Sequence, residues 1–349
     1  MTISDLEFFL IDVPRIGRAS PSRSLLVRLT TDEGQQGWGE TVCRWRPEEL
    51  SPRRDAVAAA LRGHAMHGVE DLLRLDALAD ADLRSAVEMA CWDAIGREAG
   101  QPLCHLWGGA FRHHVPLAVR LPEPSSDQAG ALPRELVEHG VHSLIVSSSG
   151  DRQTDLQALA DVRQVASDRA ELIFDGQGRW AFDQAAALCE DLESFGLRYL
   201  LDPLPRRETA ALVDLAERTS VPLALARAIE RPSDILRNAA PRAAPYVVVA
   251  PSRVGGVQAS RRCAAVAEAA RLHASLAEPA PGGVAVAAML HIAASTPNLG
   301  SSNECDYHPL QEDVLAEPLE LVDGMLTVPQ APGLGVEVDL EKLERRQVA

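Results

Sequence analysis

Short apolar stretches alternate with longer amphipathic stretches along most of this chain of 349 residues. From residue 115 onward, each apolar stretch has the length of a β-strand, and the stretches between them have the period of a helix. Strands that alternate with helices indicate a parallel sheet, and seven or eight such units within about 200 residues favour a closed (β/α) barrel. The predicted strands cover residues 115–119, 143–147, 171–174, 199–201, 222–225, 246–249 and 274–277. The predicted helices include residues 155–166, 181–195, 208–220 and 258–273.

The first hundred residues follow a different pattern. Two apolar-rich stretches of strand length, 6–13 and 25–30, precede a turn at 32–34, and GWGE at 37–40 continues on a short strand. These strands predict a small α+β module. The helical stretches that complete this module cover residues 54–62, 69–75 and 81–100.

The tail of the chain has short β patterns and a turn at Pro332-Gly333, and we expect it to fold back onto the first module. The prediction is therefore an α/β protein with a TIM-like (β/α)7–8 barrel at 113–318. An α+β capping domain at 1–112 precedes the barrel. A C-terminal segment at 319–349 packs back on that domain and completes it.

Composition excludes several classes of partner. A net charge of −16 argues against nucleic acid or an anionic membrane surface. The first residues lack the pattern of a signal peptide, and no apolar stretch reaches the length of a transmembrane helix. The six cysteines are scattered without a CxxC pair, which is typical of reduced thiols. We therefore expect a cytoplasmic protein.

Lysine is almost absent from the chain. The only one is Lys342, which lies in the last eight residues. No lysine of the predicted barrel can therefore act as a base, an acid or a Schiff-base nucleophile. Positive charge inside the barrel has to come from arginine or from a metal.

Four segments carry a resemblance to a known family. The segment AVEMACWDAIGREAGQPLCHLWGG at 86–109 resembles the helix and turn that lead into the barrel of the enolase superfamily, most closely its mandelate racemase/muconate lactonizing branch. The GWGE hairpin, SRVGG at 252–256 and LHIAASTPN at 290–298 look like later parts of the same fold. The resemblance runs in order along nearly the whole chain. It implies proton abstraction next to a carboxylate and a divalent metal that stabilises the enediolate.

The resemblance also implies a metal held by three carboxylates at the ends of barrel strands three, four and five. Asp175, in IFDGQ, matches the first of them. Asp202, in YLLDP, stands where the family usually has glutamate. On strand five the acidic position falls on Ala226 or Arg227, so the third ligand is missing and an arginine has appeared.

The acid/base positions of the family have changed as well. Strand two should read Lys-x-Lys but reads VSSSG at 146–150, which places serine or valine at both lysine positions, Val146 and Ser148. Strand six has Ala250 at its catalytic position. On strand seven, Glu278-Pro279 stands where a histidine is frequent. On strand eight, Glu304 matches an acidic residue that some members use near the substrate.

We hypothesise that Arg227 replaces the metal. Two carboxylates ~4 Å apart repel by about 4 kcal/mol at an effective dielectric constant near 20, and a planar guanidinium between Asp175 and Asp202 would remove this repulsion. No cofactor is then expected. Two alternatives remain: a residual weak Mg²⁺ site on Asp175 and Asp202, and a misalignment of the strand ends.

Candidate roles follow from this hypothesis. Arg227 would anchor a carboxylate and stabilise charge, Asp175 or Asp202 would be the base, and Glu278 or Glu304 the acid. Each carboxylate could instead be a loop cap, a helix N-terminal acid or a salt-bridge partner. Two further candidates for substrate binding are Ser148 and His308. Ser148 could instead be small polar filler.

Two loops of the first module, 14–23 and 43–47, contain five arginines and a tryptophan. They indicate an anionic, partly planar or apolar ligand, unless these charges are simply solvated. Arg120, near the end of strand one, adds a positive group at the mouth of the barrel. The substrate-binding candidates from the loops are Arg15, Arg18, Arg44, Trp45 and Arg46.

Three functions are compatible with the sequence. The first is a divergent enzyme, of isomerase, lyase or cyclase type, that acts on a small carboxylate-bearing molecule without the usual metal and lysines. The second is a non-catalytic ligand-binding or scaffold homologue, and the third is an ordinary Mg²⁺-dependent acid-sugar dehydratase or racemase. A homo-oligomer is expected in each case.

Overall fold

The structure is a computed structural model that describes residues 1–15, 21–122, 131–239, 243–278, 282–305, 307 and 312–348. Its N-terminal part is an antiparallel sheet in the order β1-β2-β3, followed by helices. The elements are β1 (Ile3–Val13), β2 (Ser22–Thr31), β3 (Gln36–Val42), α1 (Pro47–Leu61), α2 (Val69–Leu72), α3 (Ala81–Glu98) and α4 (Leu103–Leu106).

Helix α3 packs against β3 at very short range. A Cβ atom at Gly39 would lie 1.9 Å from the carbonyl oxygen of Ala86, and one at Gly37 would lie 2.1 Å from that of Ala90. Both distances are shorter than any real contact, so only glycine permits this approach of helix and strand. The GWGE segment is therefore a strand whose two glycines allow helix α3 to pack directly against it.

The central part of the chain is a closed barrel of eight parallel strands. The strands β4 to β11 pair in sequence order, and β11 pairs with β4 to close the barrel. The elements are β4 (His114–Arg120), α5 (Leu132–Glu138), β5 (Ser143–Ser147), α6 (Arg152–Ala166), β6 (Glu171–Asp175), α7 (Phe182–Leu192), β7 (Leu197–Leu201), α8 (Leu212–Ala216), β8 (Leu223–Leu225), α9 (Pro232–Ala239), β9 (Tyr246–Val249), α10 (Pro251–Val254), α11 (Val257–Ala269), β10 (His273–Glu278), α12 (Gly283–Ser295) and β11 (Asn303–Cys305).

These bounds confirm the predicted barrel strands to within two residues. The largest difference is the helix predicted at 208–220, which is only the short α8. The backbone of Glu208 leaves the helical region (φ −106°, ψ 23°), so a 3₁₀ turn precedes α8 instead of a continuous helix. The prediction failed there because a composition rich in helix formers does not reveal a local backbone break.

Alternate residues of each strand face the inside and the outside of the barrel. Ile145, Ile173 and Tyr199 belong to the cluster of buried side chains that fills the interior. Leu144 and Leu172 belong to the larger core between the strands and the helices. This alternation fixes which residue at each strand end faces the mouth.

The C-terminal segment contacts both parts of the molecule. Strands β12 (Leu321–Val322) and β13 (Met325–Thr327) form a hairpin that pairs with β4 of the barrel. Helix α13 (Leu340–Arg346) packs against β1, and the N–H of Val348 donates to the carbonyl oxygen of Leu10 at 2.8 Å. Among the described residues, no helix has the length and apolar composition needed to cross a bilayer.

Two buried glutamates of the N-terminal module dock it onto the barrel. The Glu40 carboxylate accepts N–H bonds from Gly282 at 2.6 Å and Ala285 at 3.1 Å, at the start of α12. Glu88 accepts the N–H of Gln258 at 3.0 Å, at the start of α11. Each carboxylate satisfies N–H groups that a helix N-terminus leaves unpaired. Burial raises the pKa of both Glu40 and Glu88 to about 7.

Stability should therefore decrease between weakly acidic and neutral pH. The pKa of Glu40 rises from 4.5 to about 7 on folding, so the folded state retains a proton that the unfolded state has lost in this range. Between pH 5 and 8, the free energy of unfolding of the parent should fall. In Glu40→Gln, which cannot titrate at this position, the fall should be smaller by up to about 3 kcal/mol. Urea unfolding across this range measures the difference, with exposed Glu217→Gln as the control. Parallel pH profiles of parent and variant would contradict the expectation.

Candidate active site

Five charged side chains form one chain of ion pairs across the mouth of the barrel. In order they are Glu304, Arg120, Asp175, Arg227 and Asp202, so that carboxylates and guanidinium groups alternate. They stand at or just beyond the carboxyl ends of β11, β4, β6, β8 and β7. In barrels of this type, active sites lie at this end.

Arg120, at the end of β4, forms hydrogen bonds to residues of three other strands, β5, β6 and β11. Its Nη1 donates to Asp175 Oδ2 at 2.9 Å and to Ser147 Oγ at 2.5 Å, and its Nε donates to Glu304 Oε1 at 2.7 Å. The sequence predicted a positive group here but not its partners. Arg120 therefore forms ion pairs with both Glu304 and Asp175.

Arg227 lies between the two aspartates. Its Nη1 is 3.1 Å from Asp175 Oδ1 and 3.1 Å from Asp202 Oδ2. Both aspartates are buried, whereas 38% of the Arg227 side chain is exposed. Within the described part of the chain, its Nε and Nη2 make no hydrogen bond. One edge of the guanidinium therefore holds the aspartates, and the remaining N–H groups are available at the mouth.

Backbone N–H groups also bind Asp202. Its carboxylate accepts from the N–H of Ala226 at 2.9 Å and of Arg227 at 3.0 Å. Asp202 itself has φ +44°, in the left-handed region that is rare for residues other than glycine. Burial raises the pKa of Asp202, and the charge of Asp175 adds to this, while the N–H donors and Arg227 oppose it.

The residues at this site do not fit the metal that the superfamily usually carries. Mg²⁺ requires an octahedral set of oxygen ligands, and the position of the third carboxylate falls on Ala226 or Arg227, neither of which is acidic. The oxygens of Asp175 and Asp202 already accept N–H bonds, and the space between them contains Arg227 Nη1. Across the described ranges, no cluster of three or more His, Cys, Asp or Glu side chains is arranged to hold a metal.

Glu278 lies outside this chain of ion pairs. Its neighbour Ala277 faces the barrel interior, whereas Glu278 pairs in register with Cys305, which belongs to the outer core. Glu278 ends β10, is only 3% exposed, and lacks an ion pair within the described residues. Burial raises its pKa to about 8, and the charges of Glu40 and Asp82 act in the same direction. The Ser252 hydroxyl and the charge of Arg253 oppose the shift. Glu278 therefore exchanges a proton near neutral pH.

Arg253 is a mouth residue that the sequence analysis missed. It lies in the short helix α10 directly after β9, and its Nη1 donates to the carbonyl oxygen of Ala226 at 3.1 Å. The charges of Asp202, Arg227, Arg44 and Asp82 act on it. The SRVGG segment contained the signal, because an arginine one turn beyond a barrel strand lies near the mouth. In the sequence analysis this segment supported only the resemblance to the superfamily.

The hydrogen bonds of Ser148 favour the alternative that it is small polar filler. Its hydroxyl donates its only hydrogen to Asp155 Oδ2 on α6 at 2.6 Å and accepts the N–H of Gly150 at 3.1 Å. No hydrogen is left for a substrate. Val146 also faces the helices, and the inward positions of β5 are Ile145 and Ser147. The alignment of strand two was therefore displaced by one residue.

The predicted loop residues do not act as a group. Among described residues, Trp45 lies under the guanidinium of Arg53, and Arg46 pairs with Glu48 and Glu49. Both therefore contact α1, and that they bind substrate stays a prediction. Two other candidates lie outside the described residues: Arg18 and His308.

Two arginines of these loops have other surroundings. Arg15 is buried. Arg44 pairs with Asp82 at 3.7 Å and adds its charge near Arg253. Of the loop arginines in the described residues, Arg44 is the one that the structure relates to the mouth.

Two sequence profiles match the chain. Residues 15–108 match the N-terminal domain of mandelate racemase/muconate lactonizing enzyme, and residues 128–343 match an enolase C-terminal domain-like profile. These regions cover most of the chain. The protein belongs to the mandelate racemase/muconate lactonizing branch of the enolase superfamily, and the predicted family and fold are confirmed.

Similar proteins include cycloisomerases and dehydratases. Muconate cycloisomerase 1 of Rhodococcus opacus is 27% identical, with 99% of this chain and 98% of the relative covered. A cis-3-hydroxy-L-proline dehydratase of Roseibium aggregatum is 26% identical, with 96% of each covered. The solved muconate cycloisomerase of Pseudomonas fluorescens superimposes with a TM-score of 0.91 at 27% identity, with 100% and 99% of the chains covered.

Proposed function

We propose that this protein is an enzyme of isomerase or lyase type that acts on a small carboxylate-bearing molecule and uses Arg227 where relatives use a divalent metal. The observation that carries the proposal is the guanidinium of Arg227, 3.1 Å from both Asp175 and Asp202. A charge that stabilises an enediolate must be fixed before the reaction begins. Ion pairs on one edge fix Arg227, and its remaining N–H groups would donate to the developing oxyanion.

The two aspartates support this cation and do not abstract protons. Each oxygen of Asp175 accepts from an arginine, and Asp202 accepts from two backbone N–H groups and from Arg227. These hydrogen bonds occupy the oxygens of both aspartates, so neither is placed to take a proton from a substrate carbon. This assignment replaces our earlier candidate roles, in which Asp175 or Asp202 was the base.

Glu278 is the acid/base group. In its ionised form it takes a proton from the carbon next to the substrate carboxylate, which leaves an enediolate and a neutral Glu278. The same carboxyl then returns the proton to another carbon in an isomerisation, or to a hydroxyl that leaves as water in an elimination. A pKa of about 8 suits both halves of this cycle. Racemisation is disfavoured because it requires two opposed bases.

A screen of small carboxylic acids in heavy water tests the proposal. We expect at least one acid to gain deuterium next to its carboxylate at a rate that EDTA does not change, as measured by mass spectrometry. Exchange that requires added Mg²⁺ would contradict the role of Arg227. Acids that raise the melting temperature without any exchange would instead identify a ligand-binding homologue.

A further inference from the structure

We propose that Arg253 is the residue that binds the substrate carboxylate, and that it places this group between Arg227 and Glu278. The inference rests on the proposed function and adds the site at which the substrate is held. Arg253 and Arg227 follow adjacent strands of the barrel, β9 and β8, and Glu278 ends the next strand, β10. The three residues thus follow one another on adjacent strand ends. The charge of Arg227 acts on Arg253, and that of Arg253 acts on Glu278.

The hydrogen bonds of Arg253 leave most of its donors unused. A guanidinium has five N–H groups, and Arg253 uses one donor nitrogen, Nη1, on the carbonyl oxygen of Ala226. No other described residue accepts a hydrogen bond from it, and no described carboxylate lies within ion-pair distance. The free edge is a planar fork that matches the two oxygens of a carboxylate.

Burial makes this arrangement costly without a ligand. Arg253 is only partly exposed, and desolvation lowers its pKa. The carboxylates that act on it, Asp202, Asp82 and Glu278, lie beyond ion-pair distance, while Arg227 and Arg44 repel it. A partly buried cation with unused donors lacks the close anion that such a group requires. A bound carboxylate provides that anion.

The hydrogen bond to the carbonyl oxygen of Ala226 orients the side chain of Arg253. The N–H of Ala226 donates to Asp202 at 2.9 Å, and its carbonyl oxygen accepts from Arg253 at 3.1 Å. One residue therefore connects Arg253 to the Asp175–Arg227–Asp202 cluster. A carboxylate held on the free edge would place its neighbouring carbon between Arg227 and Glu278.

Binding of benzoate, with benzamide as its neutral analogue, tests this inference without any turnover. We expect benzoate to bind the full-length protein saturably in a calorimetric or fluorescence titration, whereas benzamide does not. Arg253→Met should raise the Kd for benzoate at least tenfold, and Arg253→Lys, which retains the charge but not the fork, should raise it by less. Arg198→Met is the control, because Arg198 is partly buried at the opposite end of the barrel.

Three outcomes would overturn the inference. They are an unchanged Kd in Arg253→Met, equal binding of benzoate and benzamide, and no binding of benzoate up to its solubility limit. If Arg253 only stabilises the end of the strand through its hydrogen bond to Ala226, the variant has a lower free energy of unfolding while its Kd for benzoate stays the same. If Arg253→Met does not fold, an unchanged Kd in Arg253→Lys contradicts the inference. Failure of the proposed function is a separate result, because it appears only as absent deuterium exchange.

Discussion

Arg227→Met is expected to lower the free energy of unfolding by about 2–4 kcal/mol at neutral pH. The change leaves two buried carboxylates, Asp175 and Asp202, without the cation that separates them. Breaking a fully buried ion pair costs about 3–5 kcal/mol. The expected loss is smaller here because 38% of the Arg227 side chain is exposed to solvent. Urea unfolding measures it. Arg198→Met breaks an ion pair with the exposed Glu171 and should cost about 1 kcal/mol or less.

The pH dependence of this loss identifies its cause. In the variant, the repulsion between Asp175 and Asp202 disappears when one of them is protonated, so the difference from the parent should shrink as the pH falls. Burial already raises the pKa of Asp202, so this proton is expected to bind there first. Mg²⁺ should raise the melting temperature of the variant but not of the parent. A variant that equals the parent in stability at every pH would contradict the cluster.

Glu278→Gln is expected to lower the rate of deuterium exchange by ~10²–10⁴-fold on an acid found by the screen. Glutamine preserves the size of the side chain and can still bond to Ser252, but it cannot transfer a proton. The same change at Glu88, another buried glutamate whose pKa is raised to about 7, should leave the rate near that of the parent. A loss of only a few-fold in Glu278→Gln would remove Glu278 from the mechanism.

The parent enzyme should show the matching pH profile. Proton abstraction requires the ionised form of Glu278, whose pKa is about 8. We therefore expect kcat/KM to rise with pH and to level off above about 8. A profile that is flat between pH 6 and 9 would show that another group is the base.

The barrel and the acidic residues at its mouth could be predicted from the sequence for one physical reason. Parallel strands end at the same edge, so residues such as Asp175 and Asp202 that follow successive strands come together. An arginine on the next strand then has the reach to join them. The proximity of Arg227 to both aspartates is thus a consequence of topology and not of fine packing.

The features that the sequence analysis misplaced or missed also have physical causes. In VSSSG, three consecutive serines give no alternation by which to align β5, and a displacement by one residue reverses every side chain of a strand. This is why Ser148 was chosen and Ser147 was not. The partners of Glu40 and Glu88 lie about 170–240 positions away in the sequence, and no local pattern indicates them.

The central claim is that a guanidinium takes the position of the metal, and the affinity of the purified protein for Mg²⁺ tests it most directly. Metal analysis followed by calorimetric titration with Mg²⁺ should find no stoichiometric divalent ion and no saturable binding at the mouth of the parent. Arg227→Ala, in which the two aspartates face each other without the arginine, should bind Mg²⁺ only weakly, because the third carboxylate is still missing. One tightly bound Mg²⁺ per chain in the parent would contradict the account.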